Sequence, residues 1–238
     1  MTLDQYAKLR KKVTKMSEKT TIGILGGTGA LGTGLARRLA MAGYPVVIGS
    51  RTKERAEEAA ADGVMPPGVR GASNLSASQE ADIIIIAVPY SSHDAILDEI
   101  AEAVAGKIVV DAVVPLVPPK VSLVQLPAAG SAAKHAQDRL GSDVRVVAAF
   151  HNVGASKLAS DGDLDCDVVI CGNDSAAREA VIALADAIGT RGIDCGPIAN
   201  AVAAEALTSL LIGINRRYKV DGAGIRITGL PSQVAKVE

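Results

Sequence analysis

Short apolar runs and longer amphipathic stretches alternate along most of this chain. The apolar runs predict strands at 21–25, 46–48, 69–72, 82–88, 107–111, 144–149, 167–171 and 191–195. Apolar residues three or four positions apart predict helices at 28–42, 53–62, 93–104, 131–140, 175–188 and 199–218. This alternation predicts the α/β class, with helices covering both faces of a doubly wound, mostly parallel sheet.

Local signals refine several of these elements. The unbroken apolar run 82–88 is typical of a strand that is buried on both faces. Thr52 and Ser92 are predicted to cap the helices that follow them. Three prolines exclude regular structure from Val113 to Pro119. The last predicted helix is rich in Ala and Leu, so its apolar face is expected to be buried against the sheet or across a dimer axis.

Composition narrows the class of protein. The chain has 238 residues and a formal net charge of −1, so its charge gives no reason to expect a nucleic-acid partner. Aromatic residues make up 2% of it, so the core is expected to consist of Ala, Val, Ile and Leu. No uninterrupted stretch reaches the roughly 18 apolar residues of a membrane span, so no membrane partner is predicted. Cys166, Cys171 and Cys195 lack metal-ligand spacing and are interpreted as reduced thiols of a cytoplasmic protein.

The predicted elements divide the chain into three parts. Residues 1–20 form a basic extension whose apolar positions fall near helical spacing. Residues 21–150 contain the predicted nucleotide-binding domain. Residues 151–238 form a smaller C-terminal portion that continues the alternation and ends in the apolar helix.

The sequence from Thr21 to Gly32 carries the strongest chemical signal. A short apolar strand runs into Gly27-x-Gly29-x-x-Gly32, the pattern of a dinucleotide-binding turn in a Rossmann-type fold. Gly27 is expected to permit the tight turn, and Gly29 to let the backbone approach a pyrophosphate. Because Thr28, Ala30 and Leu31 surround these positions at the start of the helix, the whole segment is predicted to bind the cofactor.

The end of the second strand indicates which dinucleotide is bound. Enzymes that use NAD usually place an acidic residue there to hold the ribose 2′-hydroxyl. This chain has Ser50 and Arg51 instead, followed by Arg55 in the next helix. A hydroxyl and guanidinium groups suit a 2′-phosphate, which a carboxylate would repel. The sequence therefore predicts NADP(H).

Two further segments are predicted to reach the same crevice, because ligands bind beyond the carboxyl ends of the strands in such sheets. Val88, Pro89 and Tyr90 follow the fourth strand and are expected near the nicotinamide ribose, although Pro89 also serves to end a strand. His151 follows the sixth strand. Its side chain is a candidate for contact with a substrate, for general-acid catalysis, or for a purely structural hydrogen bond.

The remaining candidate chemistry is sparse. His93 and His135 lie on predicted helices and are expected at the surface. The chain shows no Tyr-x-x-x-Lys pair of a short-chain dehydrogenase, no Ser-His-Asp arrangement and no zinc-ligand cluster. Hydride transfer without an evident acid–base pair favours a cofactor-like electron acceptor over a substrate that needs proton chemistry from the protein.

Several motifs together resemble one enzyme family, the NADPH:coenzyme F420 oxidoreductases. The likeness runs from about Thr21 to Tyr218. The motifs that carry it are Gly26-Gly-Thr-Gly-Ala-Leu-Gly32, Gly49-Ser-Arg51, Pro115-Leu-Val-Pro118, Ala149-Phe-His-Asn-Val153, Cys171-Gly172 and Gly196-Pro-Ile-Ala-Asn200. The chain departs from the family where His-Thr-Ile-Pro is frequent, since it reads His151-Asn152-Val153-Gly154.

The resemblance implies a homodimeric oxidoreductase that moves a hydride between NADP(H) and the deazaflavin coenzyme F420 by direct ring-to-ring transfer. It implies that Thr28, Gly29, Ser50 and Arg51 hold NADP. It also implies that His151, Asn152 and Val153 line the deazaflavin pocket, to which the C-terminal portion contributes together with the dimer contact. No catalytic side chain is assigned apart from the candidate His151, because positioning of the two cofactors supplies the acceleration.

Two alternatives stay open at this stage. The same scaffold suits an NADPH-dependent reductase of another small substrate, such as an imine, a keto acid or a ferric chelate. It also suits a non-catalytic module that senses NADP(H) and acts through partners. The crevice histidine and the proline-rich segment favour a second ligand site, and so favour an enzyme.

Overall fold

The computed structural model describes residues 20–230, and a single eight-stranded sheet runs through this part of the chain in the order β3-β2-β1-β4-β5-β6-β7-β8. Strands β1 to β6 are mutually parallel. β7 pairs antiparallel with β6, and β8 is parallel to β7. The strands are β1 (Ile22–Leu25), β2 (Val46–Ser50), β3 (Arg70–Ser73), β4 (Ile83–Ile86), β5 (Ile108–Asp111), β6 (Arg145–Ala148), β7 (Asp167–Gly172) and β8 (Arg191–Asp194).

Helices connect the strands and cover both faces of the sheet. They are α1 (Ala30–Met41), α2 (Lys53–Ala61), α3 (Asn74–Glu80), α4 (His93–Ile100), α5 (Ala132–Leu140), α6 (Ala155–Ala159), α7 (Ser175–Ala187) and α8 (Ala201–Tyr218). Short 3₁₀ turns occupy Tyr90–Ser92, Ala101–Ala103 and Ile198–Asn200. The predicted fold class is therefore confirmed.

The two faces of β4 show why an unbroken apolar run was needed there. Ile83 and Ile85 belong to one hydrophobic cluster, whereas Ile84 and Ile86 belong to the cluster on the opposite face. Successive side chains of a strand point to opposite sides, so a central strand between two helical layers needs apolar residues at every position. Parallel pairing places the carboxyl ends of β1, β4, β5 and β6 together at one edge of the sheet.

Most predicted elements are confirmed within one to three residues at each end. The cap predicted at Thr52 is present, since its Oγ1 accepts a hydrogen bond from the Arg55 amide at 3.5 Å. The cap predicted at Ser92 is wrong, because its side chain makes no capping hydrogen bond. The helix predicted at 93–104 ends as an α-helix at Ile100 and continues as a 3₁₀ turn.

Two short helices, α3 and α6, were absent from the sequence prediction. α3 is polar, and it begins where the hydroxyl of Ser73 accepts a hydrogen bond from the Ser76 amide at 3.2 Å. α6 spans only Ala155–Ala159, which is too short for a hydrophobic period to be read. The predicted basic extension lies outside the described residues, apart from Thr20.

One helical segment bears on the expectation of no membrane partner, which stays a prediction. The helical segment Ile198–Tyr218 meets the length and composition of a span, with a mean hydropathy of 1.4. The sequence expectation counted uninterrupted apolar residues, and Glu205 interrupts this segment. Within the fold, Glu205 on this helix accepts a hydrogen bond from the Ala132 amide, and Thr208 donates one to the His151 carbonyl oxygen.

Candidate functional site

Two glycines of the turn between β1 and α1, Gly26 and Gly27, leave no room for a Cβ atom. Gly26 has φ +73°, and a Cβ there would lie 2.7 Å from the Ala87 carbonyl oxygen. The left-handed residue of the turn is thus Gly26, whereas the sequence interpretation assigned the tight turn to Gly27. Gly27 is required for a different reason, because a Cβ on it would lie 2.8 Å from the Ile24 carbonyl oxygen.

The next glycine faces open space. A Cβ on Gly29 would meet only the Gly26 carbonyl oxygen, at 3.4 Å, and Gly29 and Ala30 are exposed while Thr28 and Leu31 are half-buried. Gly29 also stands at the N-cap of α1 without a side-chain cap. Backbone amides at the start of this helix are therefore free to receive an anion from solvent, as the fingerprint predicted.

The basic group at the end of β2 is available for a ligand. Ser50 is the last residue of β2 and is buried, whereas Arg51 and Arg55 are exposed. Neither arginine forms an ion pair with another described residue, although Lys53 between them pairs with Glu57 at 3.4 Å. Since Leu25 pairs with Gly49 at the ends of β1 and β2, Arg51 and the glycine turn follow strands that end side by side.

The segment after β4 lies next to the same turn. A Cβ on Gly26 would contact Val88 Cγ1 at 2.8 Å, so Val88 packs directly against the glycine turn. Pro89 is exposed and Tyr90 is half-buried at the start of a 3₁₀ turn. The sequence-predicted segments after β1, β2 and β4 thus meet at one edge of the sheet.

The loop after β6 is held from several directions. Phe150 is fully buried with φ +68°, a conformation that is strained for a bulky residue. Thr208 Oγ1 on α8 donates a hydrogen bond to the His151 carbonyl oxygen at 2.7 Å. Asn152 is buried, and its Nδ2 donates to the Asp167 carbonyl oxygen at 2.6 Å. The Asn152 carboxamide is therefore occupied in joining β6 to β7, while Val153 packs into the core beside it.

His151 itself is 5% exposed, and neither ring nitrogen makes a well-aligned hydrogen bond to another described residue, although the Asp111 backbone lies close to the ring. Burial lowers the pKa of this imidazole to about 4, and the nearby charge and backbone of Asp111 offset only part of that effect. The ring is neutral at physiological pH. An unpaired buried imidazole is unfavourable unless a ligand supplies the partner.

A second buried histidine contradicts the sequence expectation. His93 was expected at the surface but is 1% exposed, and its Nε2 lies 2.7 Å from Asp111 Oδ2 at the end of β5. Burial alone lowers the pKa of His93, but the hydrogen bond and charge of Asp111 outweigh burial and raise it. His135, also expected at the surface, is partly exposed and pairs with Asp94 at 2.6 Å.

The burial of His93 could have been predicted from the sequence of α4. Its spacing from Ile96, Leu97 and Ile100 places it on the apolar face of α4, and all three are buried with it. Asp111 and Glu205 were not singled out either, and both carboxylates are buried. In each case the signal is a charged residue at a position where the pattern demands an apolar one.

The described residues line two cavities, one of which borders Tyr90 and His93. One of about 350 Å³ is lined by Tyr90, Ser91, His93, Asp94, Pro127, Ala128, Ala129 and His135. A larger one of about 610 Å³ lies between α2 and the edge strand β3, and none of the predicted cofactor-binding residues lines it. Residues 20–230 contain no cluster of His, Cys, Asp or Glu able to hold a metal ion.

Comparison with known proteins assigns the family. The family described as NADP oxidoreductase, coenzyme F420-dependent, matches residues 21–115. The F420-dependent NADP reductase of Methanocaldococcus jannaschii is 42% identical over 88% of this chain and 98% of its own length. The reductase of the same name from Methanothermobacter marburgensis is 40% identical over 88% of this chain and 99% of its own length.

A solved structure shares the fold as well. It is a proposed F420-dependent NADP reductase from Arthrobacter sp. FB24, 29% identical, with a TM-score of 0.73 over 88% of this chain and 99% of that one. The glycine turn, the basic end of β2 and the buried histidine loop occur here in one chain that matches these relatives almost from end to end. The chain belongs to the family of coenzyme F420-dependent NADP oxidoreductases.

Proposed function

We propose that this protein transfers a hydride between NADP(H) and coenzyme F420. The observation that carries the proposal is the near full-length similarity to archaeal F420-dependent NADP reductases. The crevice geometry supports it, because a nucleotide turn and an unpaired buried histidine lie at the carboxyl edge of the same parallel strands. The reductases of imines, keto acids and ferric chelates on this scaffold are less favoured alternatives.

The first half of the proposed site holds NADP(H). The amides of Thr28, Ala30 and Leu31 receive the pyrophosphate, because those of Gly27 and Gly29 already donate to backbone carbonyls. The Ser50 hydroxyl and the guanidinium groups of Arg51 and Arg55 donate hydrogen bonds to the 2′-phosphate. The two arginines can do so because neither forms an ion pair with another described residue. Val88, Pro89 and Tyr90 border the nicotinamide ribose.

The second half holds the deazaflavin against the loop after β6. The His151 ring lines this half, Val153 supports the loop from the core, and Asn152 fixes the loop to β7. His151 accepts or donates one hydrogen bond as a neutral imidazole. Because its pKa is lowered to about 4, a protonated His151 is scarce at neutral pH, and general-acid catalysis by this ring is disfavoured.

The chain's contribution to the mechanism is therefore to bind, to orient and to exclude water. The bound nicotinamide and deazaflavin rings supply the two-electron hydride chemistry between them. The rigidly attached His151 loop would hold the deazaflavin, and the glycine turn with its arginines would hold the pyrophosphate and the adenosine end of NADP(H). Fixing two reactants in this way converts a bimolecular encounter into an intramolecular step.

We further propose that two copies of the chain associate through α8, in the cytoplasm. Leu210 is 53% exposed and Ile214 is 41% exposed on the outer face of this helix. Neighbouring loop residues extend the apolar surface, namely Val117, Leu123, Val124 and Leu126. Ser209 on α8 donates a hydrogen bond to the Leu123 carbonyl oxygen, so this loop lies against the helix, and exposed apolar side chains gathered in this way are typical of a protein interface. Residues 21–150 then form the nucleotide-binding part, and residues 151–238 contribute the second pocket and the dimer contact.

The proposed function is tested by turnover of the purified protein. NADPH and F420 are mixed with it, and loss of the deazaflavin absorbance is followed. Parallel reactions replace F420 with a cyclic imine, a keto acid or a ferric chelate. Bleaching of F420 that depends on NADPH supports the proposal. Reduction of one of the other substrates, with F420 untouched, contradicts it.

A further inference from the structure

The carboxylate of Glu205 links two helices inside the protein. Glu205 lies on α8 and is 1% exposed. Its Oε2 accepts a hydrogen bond from the Ala132 amide at 2.7 Å, and its Oε1 accepts one from the Ala133 amide at 3.0 Å. Both oxygens therefore bind the first turn of α5, where free amides and the helix dipole favour a negative charge.

The same helix also holds the histidine loop. Thr208 lies one turn beyond Glu205, and its hydroxyl donates to the His151 carbonyl oxygen at 2.7 Å. Ser209 Oγ donates a weaker hydrogen bond to the Leu123 carbonyl oxygen at 3.4 Å. α8 is thus attached to α5, to the segment that precedes α5, and to the loop that carries His151.

Three titratable groups on other elements interact with Glu205. Asp111 faces it from β5, His93 from α4 and Tyr90 from the turn after β4. Burial raises the pKa of Glu205 to about 7, and the two α5 amides and His93 oppose that rise while Asp111 adds to it. The link between α8 and α5 therefore contains a group that titrates near neutral pH.

We propose that Glu205 is a positioning residue for the second substrate, acting by clamping α8 onto α5 so that Thr208 holds the His151 loop in place. This inference rests on the proposed function, because the second substrate is F420. Glu205 touches neither substrate, since its oxygens are taken up by α5. Loss of the clamp shifts α8 and the loop together, and leaves the glycine turn and Arg51 where they are.

The first test separates the two Michaelis constants. Glu205→Ala is expected to raise the KM for F420 by about tenfold or more, the effect of losing a charge-assisted hydrogen bond, while the KM for NADPH stays within about twofold. Glu205→Gln keeps one acceptor oxygen and is expected to fall between Glu205→Ala and the wild type. Glu102→Gln, at an exposed glutamate, is the matched control and should change neither constant.

The second test uses pH. In the wild type, protonation of Glu205 weakens the clamp, so the KM for F420 is expected to rise as the pH falls through about 7. The Glu205→Gln enzyme lacks this transition. Ionisation of F420 itself affects both enzymes alike, so the comparison isolates the carboxylate.

A third variant keeps the test open if Glu205→Ala does not fold. Thr208→Val removes the second attachment and leaves Glu205 unchanged, and it too should raise the KM for F420 selectively. Identical pH profiles for the wild type and Glu205→Gln, or an equal rise in both Michaelis constants, would overturn the inference. A wild type that does not reduce F420 at all would instead refute the proposed function.

Discussion

His93 Nε2 lies 2.7 Å from Asp111 Oδ2, and both side chains are completely enclosed at the carboxyl end of β5. The other oxygen of Asp111 accepts a hydrogen bond from the Val113 amide at 2.9 Å. This pair joins α4 to the start of the proline-rich segment. It is a buried ion pair when His93 is protonated, and removal of one member leaves the other without compensation.

The pair predicts a pH-dependent stability. The folded-state pKa of His93 is raised, so its contribution is fully present below the unfolded value of about 6.5 and is lost as the pH rises through the folded value. Asp111→Asn should flatten this dependence in urea titrations between pH 5.5 and 9. Asp111→Ala should lower the free energy of unfolding by about 3–5 kcal/mol.

The matched control is Asp98→Asn, which removes the partner of Arg139 in an exposed pair. Exposed pairs contribute about 0–1 kcal/mol, so this variant should follow the wild type. A stability profile for Asp111→Asn that parallels the wild type at every pH would contradict the assignment of charge to His93.

Arg51 is predicted to discriminate between the two nicotinamide cofactors. Arg51→Ala should raise the KM for NADPH about ten- to hundredfold, because a charge-assisted hydrogen bond to a phosphate is lost. The KM for NADH should hardly change, since NADH carries no 2′-phosphate. Steady-state kinetics with both cofactors measures this, and Arg139→Ala, on the distant α5–α4 contact, is the control. Equal losses for NADPH and NADH would exclude the 2′-phosphate role.

His151 is predicted to act on the second substrate alone. His151→Ala should raise the KM for F420 and leave NADPH binding, measured by fluorescence titration, within about twofold of the wild type. The imidazole should remain neutral down to about pH 4, which NMR titration of the ring protons reports directly. His135→Ala is the control. Loss of NADPH affinity in His151→Ala would contradict the assignment of the His151 side chain to the F420 half of the crevice.

The outer face of α8 is predicted to set the oligomeric state. Leu210→Glu should halve the mass measured by sedimentation equilibrium, because a carboxylate in an apolar interface is strongly unfavourable. Met41→Glu changes an equally apolar side chain, 60% exposed on α1, and should leave the mass unchanged. If both variants and the wild type have the same mass, α8 is not the contact between subunits.

Much of this architecture is readable from local sequence because local physics determines it. Apolar runs such as that of β4 allow no alternative to burial, and the glycine turn needs small residues at fixed intervals. The direction of β7 has no such signal. Strand pairing is decided by connections and long-range packing, here including the hydrogen bond from Asn152 to Asp167, which lie 15 positions apart.

The site was predictable only in part for a related reason. Arg51 and His151 can be identified in the sequence because each follows the end of a predicted strand. Glu205 and Asp111 do not, because their importance comes from partners that are distant in sequence, as with Glu205 and Ala132. A lone charge within an apolar stretch is the only local sign of such a partnership, and it does not say where the partner lies.

The strand direction reverses after β6, because β7 pairs antiparallel with it, and this limits which loops reach the cleft. Since β7 and β8 point their carboxyl ends the other way, no further parallel strand supplies a binding loop beyond His151. That side of the cleft is formed by α8 and the loop after β6. Loops accept amino-acid substitutions more readily than a central strand does. Substitutions on α8 and in the loop after β6 can therefore reshape this side of the cleft without touching β1 and β2, which carry the glycine turn and Arg51 at their ends.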